Sequence, residues 1–225
     1  MYPDVLQAHI RQCKAATNKP FGVNVPLLYP DIEKHIQVII EEKVPIVFTS
    51  AGNPKTWTST LKQQGITVVH VVSSSKFALK AQEAGCDAVK PQGGRSQAHI
   101  LKALVDAGIP TASHIGLTPH TVAMFGGFRI QGKTADAAMK ILEDALAIQD
   151  AGCFMLEFEA VPAKIAAAIS AELEIPTIGI GAGAGTDGQI LLSYDLLGVF
   201  VDFKPKFTKR YANLTEVAVN GLRQY

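Results

Sequence analysis

Cysteine is scarce and scattered. Cys13, Cys86 and Cys153 are the three in 225 residues. They are too few and too far apart for a disulfide framework or a metal knuckle, so they read as buried thiols of a reducing compartment. Long apolar runs are missing too; none approaches the roughly 20 residues that span a bilayer. The opening Met1-Tyr2-Pro3-Asp4 has neither the basic start nor the apolar run of a secretory leader. A cytoplasmic protein with no membrane partner is therefore expected. Charge of one sign is also missing: 21 basic against 20 acidic residues leave +1. That excludes an electrostatic footprint for nucleic acid, and the short basic and aromatic run of residues 207–211 reads as a solvated face. No linker, low-complexity tract or block of like charge divides the chain, so residues 1–225 are expected to form one domain. Nothing in the sequence fixes an oligomeric state.

What is present is a 48% hydrophobic composition arranged as alternating short apolar runs and helical periods. Residues 21–25, 44–50, 67–72, 88–90, 110–115, 154–160 and 176–180 read as strands, and 199–203 as a weak eighth. Between them lie helical stretches, several stopped by a glycine such as Gly85 or Gly108. Residues 116–133 form a long irregular segment. Eight βα units with continuous apolar strands predict an α/β protein, a closed (β/α)8 TIM barrel of eight parallel strands.

The stretch 154–162 organises the functional reading. Side chains alternate across a strand, so Glu157 and Glu159 share a face. Two carboxylates on an apolar strand are costly as plain packing. At the carboxyl end of a parallel strand they face a ligand cleft. The other reading is that one or both tip into solvent or pair with Lys or Arg. The remaining strand ends supply Lys90 and His114. With Glu159 they make a cluster suited to removing a proton beside a carbonyl and stabilising the enolate. Gly181, Gly183, Gly185 and Gly188 form a glycine-rich turn that either cradles a small anion or permits close strand–helix packing.

Two resemblances follow from particular motifs. Val89-Lys90-Pro91-Gln92-Gly93-Gly94, His114-Ile115-Gly116-Leu117-Thr118-Pro119, Phe125-Gly126-Gly127-Phe128, Gln131-Gly132-Lys133, the run 156–162, Pro176-Thr177-Ile178-Gly179-Ile180-Gly181-Ala182-Gly183, Asp187-Gly188-Gln189 and Lys204-Pro205-Lys206-Phe207 together resemble ketopantoate hydroxymethyltransferase over residues 88–225. That resemblance implies a (β/α)8 barrel in which magnesium holds an α-keto acid as its enolate. The enolate then takes a one-carbon unit from methylene-tetrahydrofolate in pantothenate synthesis. It assigns proton transfer to Glu159 and substrate contact to Lys90 and His114. Residues 3–88, through Phe21-Gly22-Val23-Asn24-Val25-Pro26-Leu27 and the runs 47–52 and 69–88, resemble the flavin-dependent nitronate monooxygenases. The early strands and later glycine turns that would hold FMN are missing.

The departures shape the expectation. Where the transferase family has metal-binding acids, this chain has Thr49, Ser50 and Ala51, then Val71, Val72 and Ser73, and Gln92 in the lysine motif. Magnesium favours anionic oxygen ligands. The sequence is accordingly read as a chimera joined near residues 86–90. On this reading it is a recombined, engineered barrel scaffold with a remnant site, no metal, no expected cofactor and little or no turnover. The alternatives are a working hydroxymethyltransferase with magnesium, and an FMN-binding protein. The expected partner is a keto acid or small anion.

Overall fold

The computed structural model describes residues 3–201 and 204–225. Pro3–Ala16 forms α1, with Pro3 at its first position and Asp4 in its first turn, both favourable at a helix start. Its buried Leu6 and Ile10 pack it beside α2, Ile32–Glu41. Arg11 and Lys14 of α1 reach Glu42 at 2.7 and 2.9 Å, and the two cations hold that carboxyl below its usual range. Helices α3 (Thr58–Gln63), α4 (Ser75–Glu83), α5 (Ala98–Asp106), α6 (Ala135–Asp150) and α7 (Ala163–Glu172) follow strands, as the alternation predicts. Thr134 caps α6 by accepting a hydrogen bond from the Ala137 N–H at 3.2 Å. Gly152 leaves α6 at φ 86, a conformation that favours glycine.

The strands are β1 (Gly22–Pro26), β2 (Ile46–Ser50), β3 (Thr67–Val71), β4 (Ala88–Lys90), β5 (Ala112–Gly116), β6 (Met155–Glu159), β7 (Thr177–Ile180) and β8 (Gly188–Gln189). All ladders are parallel, in the order β1-β2-β3-β4 and β5-β6-β7-β8. Val47, Val68, Val89, Ile115, Leu156 and Phe158 lie on the helix side, where the core clusters form. The opposite, inner face carries Phe48, Val71, Lys90, His114, Glu157, Glu159 and Ile178.

Two expectations are corrected here. The single closed eight-stranded barrel is replaced by two four-stranded sheets. A lone bridge, Val89 to Thr111, joins them at the β4–β5 seam, and no ladder links β8 to β1 among the described residues. Several inner-face residues, including Phe48, Ser50 and Ile178, are accordingly only half-buried. The eighth strand also lies elsewhere. Residues 199–201 are not strand; 202 and 203 fall outside the described residues. The last strand is instead the two-residue Gly188–Gln189, too short to carry a second ladder. Ser193–Leu196 forms the short α8, and α9, Leu214–Gln224, closes the chain. No helix among the described residues is long and apolar enough to cross a membrane.

Candidate active site

The register of β4, β5 and β6 builds the site. Strand β6 sends Leu156 and Phe158, both fully buried, into the helix-side core. Alternation then commits Glu157 and Glu159 to the inner face. His114 of β5 sits opposite Glu157 in the parallel register, and Gly116 opposite Glu159. Lys90 ends β4 and reaches across β5 to Glu157, Nζ to Oε2 at 2.5 Å. Lys90, His114 and Glu157 are 8%, 3% and 6% exposed, so this is a buried ion pair spanning the sheet seam. Pairing of Glu157 with a lysine is one of the alternatives that strand alternation left open.

His114 occupies the middle. Its Nδ1 lies 3.4 Å from Glu157 Oε1 and 3.4 Å from Gln92 Nε2. Its Nε2 lies 3.0 Å from the Leu117 carbonyl and 3.1 Å from Glu159 Oε2. Gly116 makes that approach possible. It sits at φ 90, and a Cβ there would stand 2.2 Å from the Glu159 carbonyl oxygen, which accepts the Leu117 N–H at 2.8 Å. Ala160, just after Glu159, is held at φ 51, a strained conformation for a residue with a Cβ. Glu159 is the most accessible member, and its Oε1 has no partner among the described residues. A cavity of about 660 Å³ lies between α5, α6 and the turns after β4 and β5, lined by Ile100, Leu104, Ile141, Gln92 and His120; none of Lys90, His114, Glu157 and Glu159 lines it.

The structure thus brings Lys90, His114 and Glu159 together, as the sequence analysis expects, and adds Glu157, Gln92 and the Leu117 carbonyl. Strand alternation carried a signal for Glu157. Gln92 follows β4, held by the His120 N–H, and the Leu117 carbonyl belongs to the turn after β5. The glycine turn follows β7, whose last residue Ile180 pairs with Glu159. The space beside Gly181 is taken by the Phe207 ring, beside Gly183 by Ala163, beside Gly185 by Ala167 and beside Gly188 by Ile178. Close packing therefore accounts for all four glycines.

The family resemblance implies magnesium, an ion that prefers oxygen donors. Among the described residues His114, Glu157 and Glu159 offer ligand atoms within 4.8 Å of one another. They do not suit magnesium as arranged. Lys90 already puts a cation on Glu157, and His114 offers nitrogen where the ion prefers oxygen. Only Glu159 has a free carboxylate oxygen. On the inner face β2 and β3 end in Ser50 and Val71, which carry no acid. Thr49 turns to the helix side, 2.7 Å from His70 Nδ1.

A carboxylate, an imidazole and an ammonium thus gather at the strand ends of a parallel α/β protein. Its fold is shared with solved structures. FabK from Thermotoga maritima matches with TM-score 0.53 and 28% identity over 74% of this chain and 49% of that one. Thiamine phosphate pyrophosphorylase from Pyrococcus furiosus matches with TM-score 0.52 and 14% identity over 79% and 88%, a likeness of fold alone. The sequence profile of the ketopantoate hydroxymethyltransferase family matches residues 60–225, and the chain belongs to that family. The 3-methyl-2-oxobutanoate hydroxymethyltransferase 1 of Methylibium petroleiphilum is 76% identical over 177 residues, covering 77% of this chain and 59% of that protein. The enzyme of the same name from Nitratidesulfovibrio vulgaris strain DP4 is 51% identical over 144 residues, 64% of this chain and 47% of its own length. The chain spans about half the length of such relatives.

These findings correct the expected function. A family match that starts at residue 60 passes straight through the supposed junction at 86–90. With a 76% identical transferase beside it, the reading as an engineered scaffold with a spent site is overturned. The resemblance of residues 3–88 to nitronate monooxygenases is not among the relations shown.

Proposed function

We propose that this chain binds a short branched α-keto acid, 3-methyl-2-oxobutanoate, and transfers a hydroxymethyl group to it. The observation that supports this most is the buried Lys90–Glu157–His114–Glu159 chain on family-matched strands. One carboxylate oxygen of Glu159 is left open there. Glu159 takes the C3 proton of the keto acid, and the electron pair moves to the carbonyl oxygen as an enolate. The Lys90 ammonium, pinned by Glu157 but with N–H bonds to spare, supplies positive charge where the enolate oxygen forms. His114 holds Glu159 Oε2 so that Oε1 faces the substrate. The enolate C3 then attacks the one-carbon unit, which the family resemblance assigns to methylene-tetrahydrofolate; one water supplies the hydroxyl, both C–N bonds to the methylene carbon break, and tetrahydrofolate leaves with the protons on its nitrogens. Burial of the cluster strengthens each of these charge interactions. We further infer that residues 1–225 work as one (β/α)8-type unit, its two sheets joined across the site.

The test is product formation. Purified protein is incubated with 3-methyl-2-oxobutanoate and methylene-tetrahydrofolate, and hydroxymethylated keto acid is measured by mass spectrometry. Turnover that disappears in Glu159→Gln supports the reading. Absence of product at high protein concentration, with the fold verified by circular dichroism, overturns it.

A further inference from the structure

We propose that Gln92 is a positioning residue that fixes which ring nitrogen of His114 carries the proton. The inference rests on the acid–base reading of His114 and Glu159 given above. The His120 backbone N–H donates to Gln92 Oε1 at 3.3 Å. A carboxamide oxygen only accepts, so this contact sets the amide with Nε2 towards His114 Nδ1, 3.4 Å away. A carboxamide nitrogen only donates, so Nδ1 presents its lone pair. The neutral ring therefore carries its proton on Nε2. There it meets two acceptors, the Leu117 carbonyl at 3.0 Å and Glu159 Oε2 at 3.1 Å. The opposite tautomer would set N–H against N–H at Gln92 and a lone pair against two acceptors at Nε2.

The charged groups facing this ring are Glu157 and Glu159 from β6, with Lys90 from β4 acting through Glu157. None of them forces the tautomer as Gln92 does, because Glu157 Oε1 at 3.4 Å would accept from a protonated Nδ1. The neutral side chain at position 92 thus turns the imidazole N–H onto Glu159. It links the base to the turn Pro119–Phe125 through the His120 amide. An acid at position 92 would accept from both His120 and Nδ1, so acceptors would face both ring nitrogens and each would carry a proton.

The experiment is side-chain ¹⁵N NMR of the ligand-free protein, with His114 assigned from its loss in His114→Gln. The unaltered chain is expected to show the Nε2–H neutral tautomer. Gln92→Glu, nearly identical in size, should put a proton on Nδ1 as well as on Nε2; Gln92→Met, which removes the donor, should give a mixture of neutral tautomers. In deuterium exchange at C3 of the keto acid, both variants should lower kcat about tenfold. KM should stay within about threefold, and the pH profile should shift. An Nδ1–H tautomer in the unaltered chain overturns the proposal, as does an unchanged tautomer and pH profile in Gln92→Glu. If no form turns over while the tautomer responds as expected, the assignment to Gln92 stands and only the transferase reading falls.

Discussion

Removing the Lys90 ammonium should be among the most damaging single changes in the molecule. At an effective dielectric near 20, unit charges at the 2.5 Å separation of Lys90 and Glu157 attract by about 7 kcal/mol. Desolvation of both groups offsets much of that. What a variant measures is different: Lys90→Met leaves Glu157, 6% exposed, as a buried carboxylate with only His114 at 3.4 Å beside it. Stranding one member of a buried pair costs roughly 3–5 kcal/mol. For a chain of this size that is a fall in Tm of roughly 10 °C. Adding Glu157→Leu to Lys90→Met removes the stranded charge and should recover most of the loss. Urea denaturation of both singles, the double and the unaltered chain closes the cycle. A cost below about 1 kcal/mol for Lys90→Met, the range of exposed pairs, would refute a buried pair. So would a double variant no better than the single.

Three further predictions rest on other parts of the molecule. Asp187 accepts the Thr177 N–H at 2.8 Å and its hydroxyl at 2.9 Å, and these bonds, the backbone one foremost, hold its carboxyl below the ordinary aspartate range. A depressed carboxylate stabilises the fold above its unfolded value and loses that contribution as pH falls through the folded one. Asp187→Asn should therefore flatten the acid limb of a stability–pH curve below about pH 4; an unchanged limb refutes it. Burial pushes the Cys153 thiol up to about 12, so a thiol reagent at pH 8 should label Cys153 only after unfolding, checked by peptide mass spectrometry. Gly183 sits at φ 78, and a Cβ there would lie 2.3 Å from the Ala163 Cβ. Gly183→Ala should cost about 2 kcal/mol or more of stability in urea denaturation.

Much of the site was legible because strand periodicity is a strong signal. Leu156 and Phe158 demand the core, so Glu157 and Glu159 must face inward together, and Lys90 and His114 fall at strand ends in the same layer. The seven main strands lie within about two residues of their expected places, the usual boundary error. What the sequence hid is what tertiary contacts decide. Gly188–Gln189 has no β-branched or aromatic residue to mark it as a strand, whereas residues 199–203 have several. Ring closure depends on whether distant edges meet, which no local pattern records. Glycines that admit a phosphate and glycines that admit Ala163 or the Phe207 ring look alike in sequence. The departures at Thr49, Ser50, Val71 and Gln92 were visible, but their meaning was misjudged. They remove a magnesium cage, yet the Lys90–Glu157 pair and the Gln92-set imidazole leave an acid–base chain in place.

The central claim, that Glu159 held by His114 removes a proton from the keto acid in this chain, is tested most directly in heavy water. Proton NMR would follow loss of the C3–H signal of 3-methyl-2-oxobutanoate with purified protein and no one-carbon donor. Exchange should run well above the buffer rate, disappear in Glu159→Gln and persist when Cys153 is changed to alanine. Exchange no faster than buffer, or undiminished in Glu159→Gln, would contradict it.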